Sequence, residues 1–241
     1  MKATGKASGR AGTFFVALIL ALWLAAASFM VVLSPPATRL LAELTVDDTN
    51  SIHSHEYLVS IAEASRAFCV GDDKAPIPLG DDETVAYTPR VISHLLDVRA
   101  VFQAVIVFFL IITVVVVMVL ILYLRGGARR DILRIAELRK ERRHRLGLQL
   151  ILGACIPLAL SVLIVGIGFL NFDALFIWIH SLFFTWDSYY FAEDSLLIQA
   201  LPMNFWIGCG ILWAVSLVVL CAISTVIGAG LRRRYGNSKP R

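Results

Sequence analysis

Residues 100–124 read AVFQAVIVFFLIITVVVVMVLILYL, with Arg99 immediately before and Arg125 immediately after. Between those two arginines no Asp, Glu, Lys, Arg or His occurs. A helix crossing the hydrocarbon core of a bilayer needs about 20 mainly apolar residues at about 1.5 Å rise each, and this block satisfies that length with its ends marked by charge. Three further blocks do the same: 13–33, 148–170 and 205–229. Pro35-Pro36 closes the first, and Arg232-Arg233-Arg234 stops the last.

The apolar residues make up 58% of the 241 and the mean hydropathy is +0.76, values that a soluble domain does not carry in uninterrupted blocks. The sequence therefore predicts an all-α membrane protein: a single integral membrane domain over 1–241, built as a four-transmembrane-helix bundle with a small helical extracytoplasmic cap and an interfacial aromatic segment. Four crossings leave loops too short for a separate enzyme domain with its own core, so any chemistry sits at the membrane. Lys2, Lys6 and Arg10 before the first block suggest a signal peptide as the rival reading. The apolar stretch exceeds the 7–15 residues typical of such a region, which favours an uncleaved anchor.

Charge sets the expected orientation. The connection 125–147 is crowded with basic residues, among them Arg129, Arg130, Arg134, Arg139, Lys140, Arg142, Arg143 and Arg145, and is expected in the cytoplasm together with both termini. Loop 34–99 is acidic instead, and loop 171–204 has no Lys or Arg, so both are expected outside. The excess basic residues fall in three clusters, Lys2 to Arg10, Arg125 to Arg145 and Arg232 to Arg241, each flanking an apolar block, and the pI near 9.0 then needs no nucleic-acid partner. Within the first outer loop the pattern predicts a helix over 54–68, a turn-rich stretch around Gly71–Gly80, and a helix opening at Thr88-Pro89 that runs into the second span. The run Phe176 to Trp186, FIWIHSLFFTW, is too aromatic to be solvated and is expected at the outer interface, where aromatic rings settle.

Few residues are left to carry chemistry. Cys155, Cys209 and Cys221 fall in apolar blocks and Cys69 stands alone in the first outer loop, which supports neither a disulfide framework nor a cysteine zinc site. His144 is embedded among arginines. His53 and His55 form an HxH without a third ligand, and Val59 breaks the HExxH pattern that His55-Glu56 begins. The remaining two histidines are the informative ones, because imidazole titrates near neutral pH. His94 sits at outer headgroup depth before the second span, with Asp97 three residues on to orient it and Arg99 to meet a phosphate or carbonyl oxygen. His180 lies in the aromatic segment, at the same membrane face, where burial keeps an imidazole neutral. Asp187 and Asp194 are the nearby carboxylates.

Two motifs built around these histidines resemble those of the bacterial lipoprotein intramolecular transacylases, a family of four-span membrane proteins. Ser93-His94-Leu95-Leu96-Asp97-Val98-Arg99 resembles the family's H-M-x-D-V-K, with Leu95 and Arg99 in place of its Met and Lys. Residues 176–206 resemble its F-x-x-F-H-x-x-F-F, followed by D-x-L-I-x-x-L-P, here with Asp194, Leu201 and Pro202 retained. Met203 stands at the pattern's Glu, and Trp186-Asp187-Ser188-Tyr189 at its Asn-Asp-Thr-Trp. The resemblance implies an acyltransferase of the bacterial cell membrane. It would move one chain of a diacylated lipoprotein from the glycerol sn-2 oxygen of diacylglyceryl-cysteine to the cysteine α-amine. His94 and His180 fall on the two histidines the family is thought to use; Asp97, Arg99, Asp187 and Asp194 would support them or bind substrate. No metal and no cofactor is implied, and the partners are diacylated lipoproteins and membrane lipids.

Three other classes compete. A small transporter normally places ionisable residues inside its spans, and these have none. A bis-histidine haem carrier normally holds its ligands within the spans, not at the outer edge. A noncatalytic assembly or anchoring protein is compatible with the composition, and it predicts that both histidines are replaceable.

Overall fold

The computed structural model describes residues 2–49, 51–125 and 132–236, with side chains at 11–49, 51–123, 140–185 and 188–235. In chain order the described helices are α1 (Lys2–Val32), α2 (Pro35–Thr45), α3 (His55–Val70), α4 (Pro89–Arg125), α5 (Ile132–Leu170), α6 (Phe172–Phe183), α7 (Trp186–Tyr189), α8 (Leu196–Ala200) and α9 (Met203–Gly236). Parts of α1, α4, α5 and α9 are long and apolar enough to cross a bilayer: Ala11–Val32, Pro89–Tyr123, Lys140–Leu170 and Met203–Tyr235. The protein is a multi-pass, all-α membrane protein. Among the described residues, extended pairing is limited to one isolated bridge, Leu79 with Tyr87.

The long helices exceed the apolar blocks that seed them. α5 starts at Ile132, so its N-terminal part lies in the stretch expected as a loop. Arg145 donates to Glu141 one turn earlier at 2.7 Å, an i,i+4 pair that favours continued helix. Arg129 and Arg130 of the same basic run lie outside the described residues. Pro35-Pro36 ends α1 and also opens α2 at its first turn, where a missing N–H is harmless and a fixed φ is already helical.

The described chain comprises two compact units, and their boundaries fall within the four long helices. One contains residues 1–28, 108–163 and 215–241. Its outward faces are apolar and open, as at Ile111 (60% exposed), Val114 (65%) and Val226 (71%), which suits contact with lipid tails and not with water. Its few polar side chains bond from helix to helix. Trp23 Nε1 donates to Thr113 Oγ1 at 2.9 Å, Gln149 Nε2 to the Tyr123 hydroxyl at 2.8 Å, and Ser224 Oγ to the Leu150 carbonyl at 3.1 Å. Such interhelical bonds contribute about 0.6 kcal/mol each on average in a membrane. Gly147 and Gly228 permit a close backbone approach, since a Cβ on either would meet the other's carbonyl oxygen at 2.5 or 2.7 Å.

The other unit, 29–107 and 164–214, carries both candidate histidines. α2 packs on α3, and α3 on α8. α3 is capped by Ser54, whose side chain accepts from Tyr57 N at 3.3 Å, and ends at Gly71, whose φ of 115° favours a residue without Cβ. The core of this unit joins Leu41, Leu58, Ile61, Tyr87, Val91 and Leu95 to Phe191, Leu196, Leu197 and Phe205. Two further bonds fasten residues 83–87 within this unit. Leu196 N donates to the Glu83 carbonyl at 2.7 Å, and the buried Tyr87 hydroxyl pairs with Ser65 Oγ at 2.8 Å.

Candidate active site

His94 occupies the second turn of α4. It shares the inward face of that helix with Val91 and Leu95 and is itself 8% exposed. Its ring meets two aromatic rings, Phe184 with centroids 5.3 Å apart and Phe191 at 5.5 Å. Its Nδ1 is buried and has no hydrogen-bond partner among the described residues. An orphaned buried nitrogen carries a desolvation cost of about 1–3 kcal/mol, and it leaves this one available to a bound group.

His180 lies in the last turn of α6. Asn171 starts that helix by accepting from Ala174 N at 2.9 Å, and the apolar run through Phe183 continues it. Along the helix Phe176 is one turn before His180, so the two rings stack, with centroids 3.9 Å apart. His180 Nδ1 lies 2.8 Å from the Phe176 carbonyl. A carbonyl only accepts, so Nδ1 carries the hydrogen and Nε2 keeps its lone pair, which assigns the tautomer from geometry. Tyr189 at 5.1 Å and Phe184 at 5.7 Å complete the ring of aromatics. Burial pushes the His180 imidazole below its ordinary pKa, and the Phe176 carbonyl opposes that in part. The neutral, basic form is thus the resident one at neutral pH.

The two imidazoles meet at one side chain: both touch the Phe184 ring. Behind His180, the Trp206 ring packs on Phe176 at 6.0 Å, and Trp206 Nε1 donates to the Leu201 carbonyl at 3.2 Å. Leu201-Pro202 ends α8 and begins α9, so that dipeptide sets the wall on which His180 rests.

The charged residues singled out from the sequence make no described hydrogen bond to either imidazole, although the charge of Asp97 acts on His94 through space. Asp97 is exposed and makes no described hydrogen bond to His94. On α4 the histidine points to the buried face, and the short aspartate side chain cannot follow it inward without desolvating its charge. Arg99 is taken up by Asp73 at 2.6 Å and lies over the Phe68 ring at 5.3 Å, which fastens the end of α3 to α4. Asp194 is exposed, and its carbonyl accepts from Gln199 Nε2. The side chain of Asp187 lies outside the described residues; its backbone belongs to α7. His53 braces the connection between α2 and α3: its Nε2 meets the Thr84 carbonyl at 2.8 Å, and its ring packs on Tyr57 at 5.0 Å. Among the described residues no three His, Cys, Asp or Glu side chains cluster in a way that could hold a metal. Burial pushes the Cys69 thiol up to about 12, which leaves it protonated and without nucleophilic character.

Two contributors escaped the sequence reading. Arg90, one turn before His94, holds its guanidinium 5.0 Å over the Phe191 ring and donates through Nη2 to the Tyr190 carbonyl at 2.6 Å. Its i−4 spacing from His94 was the available signal. Phe191 shares the ring contact with His94, and nothing in its sequence neighbourhood distinguishes it from other phenylalanines.

Two imidazoles that share an aromatic enclosure in a multi-pass helical membrane protein, one of them with a free ring nitrogen in its neutral form, are chemically suited to proton transfer. The family model of the lipoprotein intramolecular transacylase Lit matches residues 13–206, and the chain belongs to that family. It is an acyl-transferring enzyme. Solved structures of the membrane integral lipoprotein intramolecular transacylase Lit from Bacillus cereus share its fold. A histidine-to-arginine variant aligns with a TM-score of 0.66 at 13% identity, over 99% of this chain and 100% of that one. A histidine-to-alanine variant gives 0.67 at 16%, over 98% and 99%. A third structure of that enzyme gives 0.66 at 15%, over 95% and 98%. No curated protein sequence matches the chain.

Proposed function

We propose that this chain moves an acyl group from the glycerol sn-2 oxygen of a lipoprotein's diacylglyceryl-cysteine to the α-amine of the same cysteine, leaving an N-acyl, lyso product. The observation that carries the reading is the meeting of His94 and His180 on Phe184, with the Nε2 lone pair of one imidazole set by its tautomer and the Nδ1 of the other buried and without a hydrogen-bond partner among the described residues.

The reaction asks for little else. Donor ester and acceptor amine belong to one molecule, so holding them together supplies the high effective molarity of an intramolecular step. The amine nitrogen attacks the ester carbonyl carbon, and a tetrahedral oxyanion forms. His94 donates its N–H to that oxyanion. His180 Nε2 takes a proton from the attached amine nitrogen and delivers it to the glycerol oxygen as the C–O bond breaks. The proton count closes within one turnover: an amide and a glycerol hydroxyl replace an amine and an ester, and both imidazoles return to neutrality. Asp187 and Asp194 remain proposals for contacts to the polar part of the substrate, and Asp97 and Arg99 for holding the start of α4.

The site is assigned to the outer leaflet, with both termini cytoplasmic. Arg142, Arg143, Arg145 and Arg232 to Arg234 flank one set of span ends, and loop 171–204 has no Lys or Arg. α6 shows Trp178, Leu182 and Phe183 at 57–58% exposure, an apolar face suited to lying among acyl chains and headgroups, from which a diacylated substrate enters sideways. The test uses a host that lacks its own lipoprotein N-acylation and expresses this chain. Mass spectrometry of lipoprotein N-terminal peptides is expected to show the N-acyl, lyso form with the wild type and the unmodified diacyl form with His94→Ala or His180→Ala. Full conversion by both variants would refute the assignment.

A further inference from the structure

We propose that Arg90 is a positioning residue of the acyl-transfer site: it pins the Tyr190–Phe191 segment against the start of α4 and thereby sets where the His94 imidazole stands. The inference rests on the proposed role of His94 and extends it to a residue that touches neither reacting group.

Arg90 sits in the first turn of α4, where exposed backbone N–H groups and the helix dipole disfavour a cation. What offsets that placement is visible in its contacts. One arm donates to the Tyr190 carbonyl at 2.6 Å, and the guanidinium plane covers the Phe191 ring at 5.0 Å. Residues 190–195 contain no regular secondary structure, so this stretch of backbone has no ladder or helix to hold it. Arg90 supplies the hold with a charge-assisted hydrogen bond and a cation–π contact from one side chain. Phe191 is 8% exposed, belongs to the core of this unit, and meets the His94 ring at 5.5 Å. Arg90 and His94 are one helical turn apart on α4, so Phe191 is clamped between two consecutive side chains of one helix face. Among the described residues Nδ1 has no hydrogen-bond partner, so that nitrogen gives the ring no hold there, and the rings beside it help to set its orientation. A loosened Phe191 therefore lets the imidazole turn away from the oxyanion.

The test measures conversion of a synthetic diacylglyceryl-cysteine peptide by purified full-length enzyme, normalised to folded protein. R90M is expected to lower kcat roughly ten- to hundredfold, the scale of a misplaced catalytic group, with KM changed less than about twofold. R90K, which keeps a cation over the ring and one donor to Tyr190, is expected to recover most of that rate. If Arg90 acts through Phe191, the double variant R90M/F191L is no slower than the slower single variant. A wild-type kcat for R90M, a raised KM at unchanged kcat, or strictly additive losses in the double variant each overturn the proposal. His94→Ala separates the two levels. If it is inactive and R90M is fully active, only the role of Arg90 fails; if it keeps the wild-type rate, the reading of the site fails and the role of Arg90 with it.

Discussion

Replacing His180 by glutamine isolates proton transfer from packing. Glutamine has similar reach, and its amide can donate to the Phe176 carbonyl that His180 Nδ1 engages at 2.8 Å. It has no basic nitrogen. The magnitude expected depends on which proton the imidazole handles. A cysteine α-amine with pKa about 7.7–8.0 is neutral in roughly one molecule in seven at pH 7, so a residue that merely uncharged the amine gains at most about sevenfold. A base that takes the proton from the tetrahedral adduct and passes it to the leaving oxygen contributes about 10²- to 10⁴-fold, or roughly 3–5 kcal/mol of barrier. The proposed chemistry uses His180 in the second way, and His180→Gln is therefore expected to lower kcat by at least about a hundredfold.

The pH dependence distinguishes the two cases. Protonation of the substrate amine equilibrates with solvent in wild type and variant alike, so both should gain the same factor between pH 7 and 9. The ratio of their rates then stays constant. Because burial holds His180 below its ordinary pKa, the wild-type rate should fall on the acid side with the amine, near pH 8, and show no second limb at about 6.5. The assay is single-turnover conversion of a diacylglyceryl-cysteine peptide in nanodiscs, read by mass of the N-acyl product. A deficit under about tenfold at pH 7 that vanishes at pH 9 would show that His180 does no more than uncharge the amine, and the mechanism would be wrong.

His94→Phe keeps an aromatic ring between Phe184 and Phe191 while removing the unpartnered Nδ1, so thermal stability should hold or rise as kcat falls about 10²- to 10³-fold; a clear drop in Tm would contradict this packing. Unfolded chain binds a proton at His180 near pH 6.5, whereas folded chain binds it only at lower pH. Stability should thus decline as pH falls through about 6.5, and His180→Gln should flatten that decline in detergent melts at graded pH. Gly228→Ala places a methyl 2.7 Å from the Gly147 carbonyl oxygen and should destabilise by about 1–3 kcal/mol. Gly230→Ala, with nothing within 4 Å, is the matched control and should melt as wild type.

The spans were legible because lipid leaves a chain so little choice: an uninterrupted apolar block of sufficient length has to bond its own backbone, and a helix does so within one segment. The helix ends were not legible to the same degree. At α5 the apolar block sets only the part that lipid contacts, while Glu141 and Arg145 continue the helix beyond it by a local pair that hydropathy does not register. For the site, the sequence signalled two histidines whose residue type is costly in an aromatic or juxtamembrane setting. The geometry of their helpers was less legible. Asp97 has the spacing of an orienting carboxylate, yet spacing does not say which face of α4 is buried, and burial of His94 beside Val91 and Leu95 turns the carboxylate outward. Arg90, Tyr189 and Phe191 depend on how residues 184–195 return to α4, a non-local arrangement that no local pattern encodes.

That return also bears on the proposed proton-transfer chemistry in a protein whose apolar blocks carry no charge. Ionised groups in a lipid-facing pocket would require partners and water, both of which compete with acyl chains for the same space. Two neutral imidazoles avoid the requirement, provided that each stays neutral and correctly turned. His180 achieves this with a single backbone bond to Phe176 and a stacked ring. His94 has the Phe184 and Phe191 rings beside it. Aromatic walls supply orientation without introducing a hydrogen-bonding rival to the ester, and they leave the buried Nδ1 with no partner among the described residues. A carboxylate partner for His94, the arrangement that the spacing of Asp97 suggests, would make the imidazole more basic and bring a charge next to the oxyanion it is meant to stabilise. The exposed position of Asp97 is therefore what the chemistry prefers. Introducing such a carboxylate within reach of His94, for example with Phe184→Asp, should lower kcat more than Phe184→Leu does, in the same nanodisc conversion assay. Equal rates for the two variants would mean that the neutrality of the enclosure does not contribute to the reaction.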